Sequence, residues 1–154
     1  MNIAAEFKQY ATGNQLEVET KDPRYAVARD DFWEYCKLIS PKFYKDSRPH
    51  LKKIARTLQA LYEGRIIKLN STDHWEVLTS EELAELTEIA DEYLVCKNLM
   101  MNVPPRHGKS YTLVLFAQWL FGKSIERRII TATYGETLST RFSAAVRDGI
   151  DATK

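Results

Sequence analysis

Residues 94–122 constrain the fold of this chain more than any other stretch. "LVCKNLMMNVPPRHGKSYTLVLFAQWLFG" joins an apolar run, two prolines, a glycine–lysine–serine and a second, longer apolar run. The first run, 94–103, closes at Pro104 and has the composition of a strand buried on both faces. Lys109 to Phe121 is apolar nearly all round and ends at Gly122, which predicts a buried helix. The apolar piece 113–122 is only about half the ~20 residues of a membrane span, so it is expected to be a soluble helix. Downstream, "RRIITATY" (127–134) is β-branched and strand-like. Leu138, Phe142, Ala145, Val146 and Ile150 then recur at helical spacing. The order β–loop–α–β–α is that of chains building a parallel sheet. The expected fold class is therefore α/β, with a parallel sheet preceded by a helical segment. The expected division is 1–93 for the helical segment and 94–154 for the start of the core.

The joining loop carries the chemistry. A phosphate-binding loop usually reads G-x-x-x-x-G-K-[ST] between a strand and a helix. Here Gly108, Lys109 and Ser110 stand in place, while Val103 occupies the position of the first glycine. Glycine lets backbone approach a phosphate without a Cβ, and N–H groups at a helix start face an anion with the helix dipole behind them. Lys109 supplies a point charge between β- and γ-phosphates, and Ser110 offers a hydroxyl to Mg²⁺. Arg106 adds a second cation placed to reach the γ-phosphate or to sense its loss, and is the one candidate catalytic residue. Pro105, Arg106, His107, Gly108, Lys109, Ser110 and Tyr111 are the candidate nucleotide-binding residues. Pro104 and Pro105 predict a stiffer loop than a glycine would give. The bland alternative is a chance glycine–lysine–serine at an ordinary helix start.

Upstream, Asp22-Pro23 signals a helix start, and Tyr25, Ala28, Phe32, Cys36 and Ile39 follow at helical spacing up to Pro41. A second helix is expected from Asp46 or Ser47 to Gly64, with Leu51, Ile54, Ala55, Leu58, Leu61 and Tyr62 as its apolar stripe. Its outer face and start carry Lys42, Lys45, Arg48, Lys52, Lys53 and Arg56. "RIIKLNSTDHWEV" (65–77) is a short apolar piece followed by a loop. Thr79 and Glu82 then form a capping-box pattern ahead of an amphipathic helix with an acidic face. That helix contains "IADE" (89–92), which is not read as the Asp-Glu strand end of an ATPase, because its neighbours are helical.

With 154 residues and a net charge of +1, the chain fits one domain and offers no global attraction to nucleic acid, membrane or acidic substrate. Cys36 and Cys96 lie in apolar stretches and are expected to be buried reduced thiols, which suits the cytoplasm. The N-terminus lacks the basic start and apolar core of a signal peptide. Trp33, Trp75 and Trp119 are expected as buried or partly buried anchors.

"NVPPRHGKSYT" (102–112) resembles the Walker A segment of phage terminase large subunits, the motors that pump DNA into procapsids. "RPHLKKIARTLQALYEGRI" (48–66) is similar to that family's helix ahead of the loop, and "IITATYGETLSTRFSAAVRDGI" (129–150) to its following strand and helix. The likeness spans roughly residues 42–150, with 70–93 as a local insertion. A "PPRHGKS" loop without the leading glycine is common in the family, which accounts for Val103. The resemblance implies a P-loop NTPase-type parallel sheet, here incomplete and truncated after its second core strand. The same resemblance implies ATP and Mg²⁺ as cofactors, and His50 as a residue stacking on or hydrogen-bonding adenine; a plain helix-start histidine beside Pro49 is the alternative. It also implies double-stranded DNA, a small terminase subunit and a portal as partners, with a homo-oligomeric ring in the whole protein and no membrane.

The family further uses a strand ending in Asp-Glu to hold Mg²⁺ and activate water, and an acidic cluster for a nuclease. Neither is found between the loop and Lys154. The expectation for the isolated chain is weak nucleotide binding, hydrolysis far below that of a complete site, and uncovered apolar surface on the two C-terminal helices. The rival readings are a small P-loop nucleotide kinase, against which Val103 and the lack of an arginine-rich lid count, and a non-catalytic interaction fragment.

Overall fold

The computed structural model describes residues 23–69, 74–89, 93–124 and 126–152. In chain order the elements are α1 (Arg24–Asp30), α2 (Phe32–Ile39), α3 (Pro49–Tyr62), β1 (Ile66–Leu69), β2 (Glu76–Val77), α4 (Ser80–Ile89), β3 (Tyr93–Val95), α5 (Lys109–Lys123) and α6 (Glu136–Asp151). The class is α/β, with helices dominant.

The single helix expected up to Pro41 is two. Its proposed cap, Asp22, lies outside the described residues. Asp31 leaves helical geometry (φ −117°, ψ 113°), and its carboxylate accepts the Glu34 N–H at 3.1 Å, so it caps α2. The apolar spacing runs through the break, but the burial does not: Ala28, Phe32 and Cys36 are buried, whereas Tyr25 is half exposed. The break is held from outside by Gln59 of α3. Its Oε1 accepts the Phe32 N–H at 3.0 Å, and its Nε2 donates to the Asp30 carbonyl at 2.9 Å. A side-chain amide thus serves both backbone groups of the break.

Pro49 begins α3, a few residues later than expected, in the first-turn position where its missing N–H costs nothing. Gly64, at φ +70°, turns the chain into β1. The sheet that follows differs from the expected one. Its order is β2-β1-β3 and both pairings are antiparallel, with Ile66 opposite Val77 and Ile67 opposite Val95. The predicted strand 94–103 is a strand only at Tyr93–Val95, and 127–134 is not a strand at all. The reason is proximity. β1, read as a short apolar piece, lies alongside β3, and the Cys96 N–H closes their ladder on the Ile66 carbonyl at 2.8 Å. Strand composition becomes a strand only where a partner backbone is adjacent, and among the described residues 127–134 has none. Among the described residues the sheet is small and wholly antiparallel, with no parallel pairing.

α2, α3 and α5 pack by the apolar residues the periodicity picks out, whereas Tyr25 of α1 and Leu138 of α6 are about half exposed. Phe32, Trp33, Cys36, Tyr44, Leu51, Ile54, Ala55, Leu58, Leu115 and Trp119 make one core, drawn from α2, the α2–α3 corner, α3 and α5. The Trp119 Nε1–H donates to the Ala28 carbonyl at 3.0 Å and ties α5 to α1. A smaller cluster, Val114, Ala117 and Val146, joins α5 to α6. Gly149 permits this approach, since a Cβ there would lie 2.0 Å from Gln118 Nε2, which donates to the Ala145 carbonyl. Cys36 is buried and its thiol is pushed up by desolvation, whereas Cys96 is only half-buried; both are free. Trp33 and Trp119 are buried, but Trp75 is 48% exposed on the rim of the small sheet. No described helix is long and apolar enough to cross a membrane.

Candidate phosphate site at the start of α5

The loop between β3 and α5 ends in a tight turn over 105–108. Arg106 (φ 63°) and Gly108 (φ 82°) both take left-handed backbone. Gly108 is required twice over. A Cβ there would sit 2.9 Å from the Phe43 ring and from Leu51 Cδ2, and side chains are strained at that φ in any case. The loop is thus seated on the corner between α2 and α3. His107 closes the turn, its Nδ1 hydrogen-bonded to the Pro105 carbonyl at 2.9 Å.

α5 begins at Lys109 with no side-chain cap. Its first intrahelical bond runs from the Thr112 N–H to the Gly108 carbonyl at 2.8 Å. Among the described residues, the N–H groups of Lys109, Ser110 and Tyr111 donate to no backbone carbonyl. They are left at the positive end of a 15-residue helix. The Lys109, Ser110 and Arg106 side chains are exposed beside them. Among the described residues neither cation is engaged in an ion pair. Uncapped donors, a hydroxyl and two cations at one helix start can neutralise and orient a phosphate group.

The candidates named from the sequence fall together. Pro105 to Tyr111 form one continuous turn and helix start. His50 joins them across the chain, its ring 5.7 Å from that of His107 at 68°. Tyr111 contributes differently from its neighbours. Its ring packs on Phe43 (5.6 Å) and Tyr44 (5.9 Å) and is partly exposed, and its N–H is one of the three uncapped donors. Tyr134, after the predicted second strand, is almost completely exposed.

Sequence reading missed Phe43, Tyr44, Leu51 and Thr112, which hold the loop from beneath. The one available signal was Thr112 four residues after Gly108, the spacing at which a threonine hydroxyl bonds back to a helix carbonyl.

Among the described residues, no group of three or more His, Cys, Asp or Glu is placed to hold a metal. Ser110 alone does not make a resident metal site. A single hydroxyl does suit an Mg²⁺ ion that arrives with a nucleotide, since that ion draws most ligands from phosphate oxygens and water. A cavity of about 790 Å³ lies elsewhere, lined by α1, α2, α5 and α6 with Tyr25, Leu38, Ile39, Phe121, Ile129 and Phe142. No family model matches the chain, and no curated protein or solved structure is significantly similar to it.

Proposed function

We propose that residues 105–111 hold the phosphates of ATP, and that this chain is the ATP-binding portion of a DNA-packaging motor of the terminase large-subunit type. The observation carrying the first half is the start of α5, where left-handed Gly108 delivers three uncapped N–H groups beside Lys109, Ser110 and Arg106. The second half is supported by the "PPRHGKS" loop and its flanking segments. In this scheme Lys109 sits between the β- and γ-phosphates, and Arg106 faces the γ-phosphate. The Ser110 hydroxyl is the chain's ligand to Mg²⁺, which supplies charge neutralisation across the phosphates when bound. His50, beside His107, is the residue nearest at hand for the adenine. Residues 94–103 and 127–134 belong to a parallel sheet in the same proposal. β3 is an edge strand among the described residues, so a parallel neighbour on its second edge is compatible with the antiparallel pairing to β1. Double-stranded DNA, a small subunit, a portal and other copies in a ring are the proposed partners, in the host cytoplasm.

The test is calorimetric titration of the folded chain with Mg-ATP, beside Lys109→Ala. Saturable binding is expected, weakened at least tenfold in the variant, about 1.4 kcal/mol. Equal heats from both proteins, or none from the wild type, would sink the proposal.

A further inference from the structure

We infer that Tyr44 and Thr112 are positioning residues of this site: a buried hydroxyl relay that fixes the peptide unit between Gly108 and Lys109 and so aims the Lys109 N–H. The inference rests on the phosphate-site proposal and adds residues from the helical segment to it.

Thr112 is fully buried, and its Oγ1 donates to the Gly108 carbonyl at 2.9 Å. A threonine hydroxyl has one proton, so the 2.9 Å contact between Tyr44 and Thr112 must run from the tyrosine O–H to the threonine oxygen. Burial, partly offset by that hydrogen bond, pushes the Tyr44 phenol above its ordinary value, which keeps the proton in place. The order is Tyr44 O–H to Thr112 Oγ1–H to Gly108 C=O. The same carbonyl also accepts the Thr112 N–H. Two donors from one residue hold it along the axis of α5.

The geometric consequence follows from the planarity of the peptide bond. The Gly108 carbonyl and the Lys109 N–H belong to one trans unit and point in opposite directions. Holding the carbonyl toward the helix holds the N–H away from it, at the helix start where the anion sits. Gly108 needs this restraint, because glycine is the residue whose flanking peptide planes turn most freely. Tyr44 is itself anchored. Its N–H donates to the Ser40 carbonyl at 2.9 Å, and its ring lies 5.9 Å from that of Trp33. The corner between α2 and α3 is therefore part of the phosphate apparatus, and the expected division at residue 93 cuts through it.

The experiment compares Mg-ATP affinity and the Lys109 amide cross-peak in wild type, Tyr44→Phe, Thr112→Val, Thr112→Ser and Tyr35→Phe. Tyr35 is a control: its hydroxyl bonds Gln118, away from the loop. Tyr44→Phe and Thr112→Val should each weaken binding roughly five- to tenfold and shift the Lys109 peak without nucleotide present. Thr112→Ser, which keeps the hydroxyl, should restore both, and Tyr35→Phe should alter neither. Should Tyr44→Phe fail to fold, the nearly isosteric Thr112→Val decides alone. Affinities within about twofold of wild type in the folded variants, or no rescue by serine, overturn the relay while leaving the phosphate site standing. A wild type without saturable binding overturns the site, and the relay with it.

Discussion

Gly108 meets two demands that an added methyl group would violate together, left-handed backbone and contact with Phe43 and Leu51. Gly108→Ala should therefore destabilise the fold by about 2–4 kcal/mol, adding the left-handed penalty to overpacking. Urea unfolding measures this, and a loss below about 1 kcal/mol would mean the loop simply moves aside. Arg106 also takes left-handed backbone, at φ 63°, within the turn that His107 closes on Pro105. At this scale the site was legible where residue type is dictated by local chemistry. Gly108, Lys109 and Ser110 stand out in the sequence because the proposed phosphate loop admits few residue types at those places. Tyr44 and Phe43 were not legible, since a buried aromatic looks the same in sequence whether it fills a core or braces a loop.

Helices were read from their start signals and stripes; α5 and α6 stand where that reading put them, and α3 begins a few residues later. The capping box of α4 is formed in both directions: the Glu82 carboxylate accepts the Thr79 N–H at 2.7 Å, and the Glu82 N–H donates to Thr79 Oγ1 at 3.2 Å. The Thr79 backbone hydrogen bond is the main cause that holds the Glu82 carboxyl below its ordinary value. A depressed carboxyl contributes fully above the ordinary glutamate range and loses its contribution as pH falls through its own lower value. The Thr79 amide resonance should therefore titrate on acidification below that range, and Glu82→Gln should abolish the titration. A Thr79 resonance indifferent to pH in the wild type would contradict the cap. Strands were less legible than helices, because a helix closes its hydrogen bonds within itself while a strand depends on what lies beside it. That dependence explains why β1 pairs and the equally β-branched 127–134 does not.

Across the whole molecule, apolar surface is covered unevenly. The core between α2, α3 and α5 is closed, but a 790 Å³ apolar cavity opens across α1, α2, α5 and α6, and Met100, Ile130 and Tyr134 are more than nine-tenths exposed. Uncovered surface on the C-terminal helices was expected from the sequence, since two strands cannot cover them. The native chain should accordingly enhance the fluorescence of an apolar dye such as ANS, and Phe142→Glu should reduce the effect without unfolding the chain. No enhancement by the folded wild type would mean that this surface is closed in solution. The α1–α2 break has a different bearing on the whole. Its two backbone groups are completed by Gln59, a residue 28 positions beyond Asp31, so the bend has no complete set of bonds until α3 arrives. The angle between the first two helices is therefore held by α3 rather than by either helix itself. An opening of the Phe32 amide to solvent records the departure of α3 rather than fraying of the helix to which Phe32 belongs.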